Sequence, residues 1–242
     1  MTRAQRVARV WSAIALQAPG RDVTVAHVCQ AMVAELDVDG AGLTMTAGTP
    51  AREIVHATDD VAAAVEALQV TTGEGPCVDA LAGDGPVLAG DLHQVEYRAR
   101  WPAFTPAAVL SGARAVFALP LHLGAIRLGA IDLYRARAGS LTDAELADAL
   151  VYADTAGMLL LDGAAAAAGP PDDLGAADAV VHQATGMLLV QLGVDAQTAL
   201  LRLRAHAYAE GRPLEEVARD VVDRRLRLER DPLNDGTAPD PD

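Results

Sequence analysis

The chain has 242 residues, enough for one large domain or two unequal ones, and half of them are apolar, as in a globular protein rather than a disordered one. Its formal net charge of −14 argues against a general polyanion binder, because nonspecific affinity for nucleic acid comes from Lys and Arg at phosphates. Two cysteines in a chain of this length exclude a disulfide framework, and neither a signal-peptide pattern nor a membrane-spanning apolar run is present. We therefore expect a cytoplasmic protein.

Two segments rich in turn residues predict the domain organisation. Residues 162–173 read DGAAAAAGPPDD, which is typical of a helix that runs out into a linker. Residues 231–242 read DPLNDGTAPDPD and have almost no apolar content, which predicts a disordered acidic tail. We expect a first domain at residues 1–163, a linker at 164–175, a second domain at 176–230 and a tail at 231–242.

The first domain shows both helical and strand periodicity. Apolar residues at helical spacing predict helices over residues 2–17, 24–36 and 59–69, and short apolar segments predict strands over 40–47 and 52–57. Residues 114–123 and 126–134 are rich in β-branched and aromatic residues around a turn, which predicts a hairpin. Thr142 and Glu145 form a capping box for a helix that runs to about residue 161. These elements predict an α+β fold, an antiparallel sheet with flanking helices packed on one side.

The second domain has a simpler pattern. Residues 176–192 and 196–210 are predicted helices, each closed by a glycine suited to a left-handed cap, and Asp195 caps the second of them. A third helix begins at Pro213 and carries an apolar stripe that extends to Leu228. Three amphipathic helices of this length predict an all-α three-helix bundle.

Two sets of motifs carry a resemblance to known families. The stretch Ala184-Thr185-Gly186-Met187-Leu188, continued by Leu203-Arg204 and by Val217-Ala218, resembles the ANTAR domain of bacterial antitermination regulators. Upstream, residues 73–80 (GEGPCVDA), Arg100-Trp101-Pro102 and the hairpin through Leu119-Pro120-Leu121 resemble the GAF domains that precede ANTAR domains in actinobacteria.

The resemblance implies a sensor domain that controls an RNA-binding bundle. Such a bundle would hold a hairpin in nascent transcript and prevent a terminator from forming, under control of a small-molecule ligand of unknown identity. The family usually has Lys where this chain has Thr185, and often a second basic residue where it has Ala205. The long helix before the linker is expected to pair with its mate in a homodimer.

The glycine-rich segment of the first domain is the candidate for the ligand pocket. It matches neither a dinucleotide-binding nor a Walker motif. We expect it to line the rim of a modest, mostly apolar pocket beside the sheet, through Gly73, Glu74, Gly75, Pro76, Cys77 and Val78. A redox enzyme using paired thiols is the alternative, and it requires Cys29 and Cys77 to come within bridging distance. No metal-binding or Ser-His-Asp motif is present, so neither a metal nor a catalytic residue is predicted.

Arginines of the second domain are the candidate RNA contacts. Residues 176–230 hold eight Arg and eight acidic residues, so this domain is neutral while the rest of the chain is acidic. We expect Arg202, Arg204 and Arg212 to be the least neutralised by acidic neighbours, and Arg224 to be paired with Asp220.

One face of the first helix of this domain is open to two interpretations. His182 and Thr185 share that face with Gly186, which predicts either an RNA-binding surface or tight packing against the second helix. The alternative function for the whole chain is a dimeric interaction module that does not bind RNA.

Overall fold

A computed structural model describes residues 1–46, 52–83, 85–123, 126–166 and 176–229. The chain divides into two compact units, an N-terminal unit of residues 1–174 and a C-terminal unit of residues 175–242. Most of the predicted linker and the whole predicted tail lie outside the described residues.

The described part of the N-terminal unit contains seven helices and five strands. Its helices are α1 (Arg3–Gln17), α2 (Val25–Glu35), α3 (Asp60–Thr72), α4 (Pro76–Ala82), α5 (Val95–Arg100), α6 (Phe104–Leu110) and α7 (Asp143–Ala166). Its strands are β1 (Gly40–Met45), β2 (Glu53–Ala57), β3 (Val87–Ala89), β4 (Ala115–Leu123) and β5 (Ile126–Arg135). The last helix therefore continues beyond residue 163, where we expected the domain to end.

The five strands form one antiparallel sheet in the order β2-β1-β5-β4-β3. The predicted β4–β5 hairpin forms its centre, and the predicted capping box closes the start of α7, where Glu145 Oε2 accepts from the Thr142 backbone N–H at 2.6 Å. The α+β prediction of an antiparallel sheet with flanking helices is confirmed.

Helices cover both faces of this sheet, so the expectation of helices on one side is wrong. Alternate residues of β4 point to opposite faces: Phe117 and Leu119 pack in a core with α1, α2 and α7, whereas Val116 and Ala118 pack toward α3, α4 and α6. A strand that is buried on both faces has a continuous run of apolar residues. Hydrophobic periodicity therefore did not predict that helices cover the second face of the sheet.

The C-terminal unit consists of α8 (Ala176–Leu192), α9 (Ala196–Glu210) and α10 (Leu214–Val222), and the three-helix prediction is confirmed. Gly193 and Gly211 end α8 and α9 at φ of 70° and 61°, as predicted. The third helix ends at Val222 rather than near Leu228. Arg224 adopts a left-handed conformation, and the Arg225 backbone N–H bonds back to the Asp220 carbonyl at 2.8 Å, which closes the helix without a glycine to mark the end.

The described residues form helices of limited length and apolarity. No single helix among them has the length and apolarity to cross a membrane, although α8 from Val180 and α9 would meet the length and composition criteria together as a pair bent by 106°.

Candidate functional site

The glycine-rich segment of the N-terminal unit is a tight turn between two helices. Gly73 ends α3 in the left-handed region, and Gly75 at φ 125° precedes Pro76, the first residue of α4. A Cβ atom at Gly75 would lie 2.6 Å from Oε1 of Gln69, so the turn needs glycine for space as well as for conformation. Cys77 is buried against the sheet, while Glu74 and Val78 are half-buried. The placement of residues 73–78 at the rim of a ligand pocket stays a prediction.

The same segment anchors the motif around Trp101. The Glu74 carboxylate accepts from the backbone N–H groups of Ala103 and Phe104 at 2.8 and 3.2 Å, at the start of α6. The Asp79 carboxylate accepts from the indole N–H of Trp101 at 2.9 Å. The glycine-rich segment and the Arg100-Trp101-Pro102 motif are therefore parts of one hydrogen-bonded assembly.

Behind this turn lies a buried polar cluster, which we define as Glu66, Gln69, Cys77 and Asp132. Glu66 and Gln69 come from α3, Cys77 from α4 and Asp132 from β5. The Gln69 amide N–H donates to Asp132 Oδ2 at 2.7 Å, while its carbonyl oxygen accepts from the Cys77 backbone N–H at 2.7 Å. The amide thus links α4 to β5, in addition to the hydrogen bond from Arg127 Nη1 on β5 to the Leu81 carbonyl on α4 at 2.7 Å.

Space for the cluster comes from a missing side chain on the sheet. Gly42 on β1 pairs with Asp132 on β5, and a Cβ atom at Gly42 would collide with the Glu66 carboxyl. Thr44, two residues along the same strand face, donates its hydroxyl to Glu66 Oε2 at 2.5 Å. Glu66 can therefore lie flat against the sheet beside Asp132.

The two carboxyl groups of the cluster are electrostatically coupled. Burial and the nearby Asp132 charge raise the pKa of Glu66 well above its ordinary value. Burial raises the pKa of Asp132 as well, but the hydrogen bonds that it accepts oppose that rise. Burial, reinforced by the two carboxylates, also raises the pKa of the Cys77 thiol. All three acidic groups therefore hold a proton more tightly in this cluster than they would in water.

The sequence analysis did not predict this cluster, because its members match no short motif. Cys77 lies 11 residues after Glu66, and Asp132 lies 55 residues after Cys77. A signal was present in Asp132, a charged residue within the apolar strand IRLGAIDLYR, because an ionisable residue in a buried strand needs a partner.

The two cysteines lie on opposite faces of the sheet. Cys29 on α2 packs in the core with Leu43 and Phe117, whereas Cys77 packs with Ala118 and Ala130 on the other face. Both are free thiols. The paired-thiol chemistry that the redox alternative requires is therefore not supported by the fold.

In the C-terminal unit, α8 presents an open groove, which we call the α8 groove. Its volume is about 710 Å³, and it is lined by Gln183, Gly186, Met187, Val190, Gln191, Val221, Arg224, Leu226 and Arg227. Gly186 is exposed, and a Cβ atom placed on it would meet nothing within 4 Å. Tight packing against α9 therefore does not explain the glycine, and the surface interpretation of this residue is favoured.

The acidic residues that pair with the arginines of the C-terminal unit differ from those expected. Arg212 lies within ion-pair distance of two acidic residues, Asp220 at 2.7 Å and Glu216 at 3.8 Å, so its expected freedom from acidic neighbours is wrong. Asp220 also binds Arg225 at 2.8 Å. These contacts leave Arg224 exposed, without an ion pair to any described residue, because the left-handed turn carries it away from Asp220. Helical spacing misassigned the pair because α10 ends before Arg224.

The remaining predicted contacts are spread over two helices. Arg202 and Arg204 are half-buried on α9, and His182 is exposed on α8. Thr185 is buried, and its hydroxyl donates to the Val181 carbonyl at 2.7 Å within α8, so the side chain is not presented at the surface, and its contact with RNA stays a prediction. A helical register places residue 185 on the inner face, next to Ala184 and Leu188.

Comparison with solved structures finds distant similarities for this chain. The GAF domain of a phosphoenolpyruvate-protein phosphotransferase from Coxiella burnetii is 14% identical, with 69% of this chain and 99% of that one covered at a TM-score of 0.49. The corresponding Acinetobacter GAF domain is 12% identical, with 71% and 100% covered and a TM-score of 0.49. A type II free methionine-R-sulfoxide reductase from Thermoplasma acidophilum is 16% identical, with 57% and 89% covered and a TM-score of 0.43.

Comparison with protein families gives a match in the second half of the chain. No curated protein matches the chain. Residues 176–222 match the family described as ANTAR domain, and this range begins with α8 and ends with the last residue of α10. The three helices of the C-terminal unit therefore coincide with the segment that is similar to ANTAR domains.

Proposed function

We propose that this chain is a cytoplasmic regulator in which a ligand-sensing GAF-like N-terminal unit controls an RNA-binding ANTAR domain, and that it acts by transcription antitermination on hairpins in nascent transcript. The observation that carries the proposal is the ANTAR match over residues 176–222, together with the α8 groove on the same unit. The ligand is a small molecule that binds at the rim formed by residues 73–78.

The α8 groove has the chemistry that structured RNA requires. Two exposed cations, Arg224 and Arg227, lie on one side of it, and the exposed Gly186 lies on the helix facing them. Cations position a phosphate backbone, and a glycine lets that backbone approach a helix closely. Neither arginine has an ion-pair partner among the described residues, so neither must break an internal bond before it binds phosphate.

Other contacts come from the residues predicted on the sequence. Arg204 occupies the Leu-Arg position of the resemblance, and Arg202 and His182 are the further candidates. Arg212 contributes less in this scheme, because binding RNA would require it to leave Asp220.

Arginine substitutions test these contacts. We expect Arg204→Ala, Arg224→Ala and Arg227→Ala each to weaken binding to all RNA hairpins alike and to flatten the salt dependence by about 0.7–0.9 logarithmic unit per lost phosphate contact. Filter binding of the full chain to a panel of synthetic hairpins at three salt concentrations measures both quantities.

Arg219→Ala is the matched control for this series. It removes an equally exposed arginine from α10, but Arg219 is paired with Glu215 at 2.5 Å, so we expect RNA affinity to stay the same. Equal loss in the control and in Arg224→Ala would show that only net charge matters. The absence of wild-type binding to any hairpin at low salt would favour the interaction module instead.

Substitution of Gly186 separates stability from recognition. Glycine inside a helix costs about 1 kcal/mol relative to alanine, and the added methyl group has open space, so we expect Gly186→Ala to stabilise the C-terminal unit by about 0.5–1 kcal/mol. If RNA backbone approaches this position, the same variant binds RNA more weakly. Thermal unfolding followed by circular dichroism and hairpin binding give the two readouts, and Gly157→Ala in α7 is the control glycine. Tighter or unchanged RNA binding would place the RNA elsewhere.

The second candidate function, a dimeric interaction module, is favoured by the outer face of α7. Leu150 and Met158 lie two helical turns apart on this helix and are 38% and 48% exposed. Apolar residues aligned along one helix favour a symmetric contact with a second copy. We propose that the chain is a homodimer through this face, whether or not it binds RNA.

Sedimentation tests the dimer. We expect the wild type to sediment as a dimer at tens of micromolar protein and Leu150→Glu/Met158→Glu to sediment as a monomer, because paired carboxylates would be buried in the contact. Leu110→Glu on α6 is the control, since Leu110 is 89% exposed and lies away from α7. A monomeric wild type would refute the proposal.

A further inference from the structure

The buried polar cluster of the N-terminal unit contains side-chain atoms that could bind a metal ion. The hydrogen bonds within the cluster do not satisfy all of these atoms. One ligand atom from each of Glu66, Cys77 and Asp132 lies within 4.8 Å of the other two, and all three residues are buried. Oε1 of Glu66 and Oδ1 of Asp132 are buried and receive no hydrogen bond from an N–H or hydroxyl group of the described residues, so the contact between the two carboxyl groups needs a proton or a cation. Glu66 and Asp132 are only 1% and 3% exposed, so water does not reach these oxygens.

Leaving two carboxylate oxygens buried without a partner is costly, because each loses its hydration without compensation. Either a proton shared between the carboxyls or a cation that all three side chains contact would remove the cost. The thiol beside the carboxyls distinguishes the two cases. A shared proton needs only the carboxyls, whereas a thiolate and two carboxylates are together a ligand set for a divalent transition metal.

We propose that Glu66, Cys77 and Asp132 bind one divalent cation of the zinc class between α3, α4 and β5. Binding displaces the protons of the Glu66 carboxyl and the Cys77 thiol into solvent, and a thiolate–metal bond and carboxylate–metal bonds form in their place. A zinc ion holds its ligand atoms roughly 3 to 4 Å apart, so the three side chains need to contract only slightly.

The surroundings support both the charge and the geometry of this site. Three ionised ligands and a dication leave one negative charge. The positive charge of Arg52 acts on both Cys77 and Asp132, and Nη1 of Arg52 is buried without a hydrogen-bond partner among the described residues. Gln69 fixes the orientation of two ligands at once, through Asp132 Oδ2 and the Cys77 backbone N–H. Such outer contacts are the support that metal ligands require.

The site would join α3 and α4 across the glycine-rich turn that we propose as the rim of the ligand pocket. The metal proposal does not depend on RNA binding, because every residue in it belongs to the N-terminal unit.

Cobalt is the probe for this site, because a thiolate bound to Co²⁺ gives an ultraviolet charge-transfer band that carboxylates do not. The full chain, stripped with a chelator and titrated with Co²⁺, is expected to develop this band at one equivalent and to lose it when Zn²⁺ is added. Cys77→Ser should abolish the band, whereas Cys29→Ser, which alters an equally buried thiol on the other face of the sheet, should retain it. Glu66→Gln, which keeps the size of the side chain, should weaken Co²⁺ binding tenfold or more.

Each outcome decides the proposal. Circular dichroism of every variant shows whether it is folded, and Glu66→Gln carries the test if Cys77→Ser does not fold. No band in the folded wild type, a band that persists in Cys77→Ser, or unchanged Co²⁺ affinity in Glu66→Gln would overturn the metal site and leave a proton shared by two carboxyls. RNA affinity is measured separately, so failure of one proposal does not imply failure of the other.

Discussion

Replacing Leu203 by alanine is expected to unfold the C-terminal unit. Leu203 is completely buried at the centre of α9, and Leu188 of α8 and Val217 of α10 are completely buried as well. Truncating a buried leucine to alanine costs about 2–5 kcal/mol, because transfer free energy is lost and a cavity remains. A unit of this size rarely has more than about 3–5 kcal/mol of stability, so the substitution removes most or all of it.

The two tryptophans of the chain allow this loss to be assigned to one unit. Trp11 and Trp101 both lie in the N-terminal unit, so tryptophan fluorescence reports its unfolding alone, whereas far-ultraviolet circular dichroism reports the helices of both units. Leu203→Ala should lower helical content and abolish RNA binding while the fluorescence transition stays in place.

Leu201→Ala is the control for this substitution. Leu201 lies on the same helix but is 62% exposed, so we expect a change in the free energy of unfolding of less than about 0.5 kcal/mol. A fluorescence transition that moves together with the dichroism signal would show that the two units do not unfold independently.

Replacing Arg135 by methionine is expected to destabilise the N-terminal unit by about 3 kcal/mol. The Arg135 side chain is 5% exposed and donates to the Asp37 carbonyl, to the Ser140 carbonyl at 3.0 Å and to the Glu145 carboxylate at 2.9 Å. It therefore joins the end of β5 to the loop before β1 and to the first turn of α7. Methionine preserves most of the volume but removes the donor to Oε1 of the half-buried Glu145 and to two carbonyls, which is the costly outcome for a buried ion pair.

Arg137→Met provides the comparison for Arg135. Arg137 also pairs with Asp37, but its side chain is 56% exposed, and an exposed ion pair contributes about 0–1 kcal/mol. Urea unfolding of both variants, followed by tryptophan fluorescence, measures the difference. Similar midpoints for the two variants would show that Arg135 is not the tie between the sheet and α7.

Local sequence determined where most helices begin and end. The Thr142–Glu145 capping box, Asp195 before α9 and the glycines after α8 and α9 act within a few residues of their own position, so each could be recognised without the rest of the fold. The hairpin of β4 and β5 was predicted for the same reason, because its two strands are adjacent in the chain. The ANTAR resemblance rested on such a contiguous segment and matches residues 176–222.

Tertiary structure alone decided which charges and which faces meet. Asp220 was expected to pair with Arg224 by helical spacing, but the chain turns at Arg224 and the carboxylate binds Arg212 and Arg225 instead. Glu66, Cys77 and Asp132 come together only because β5 lies beside β1 and because α3 and α4 cover the same face of the sheet. Contacts of this kind depend on strand order and, in α10, on a helix end that no glycine marks, and the local pattern of residues encodes neither of these two features.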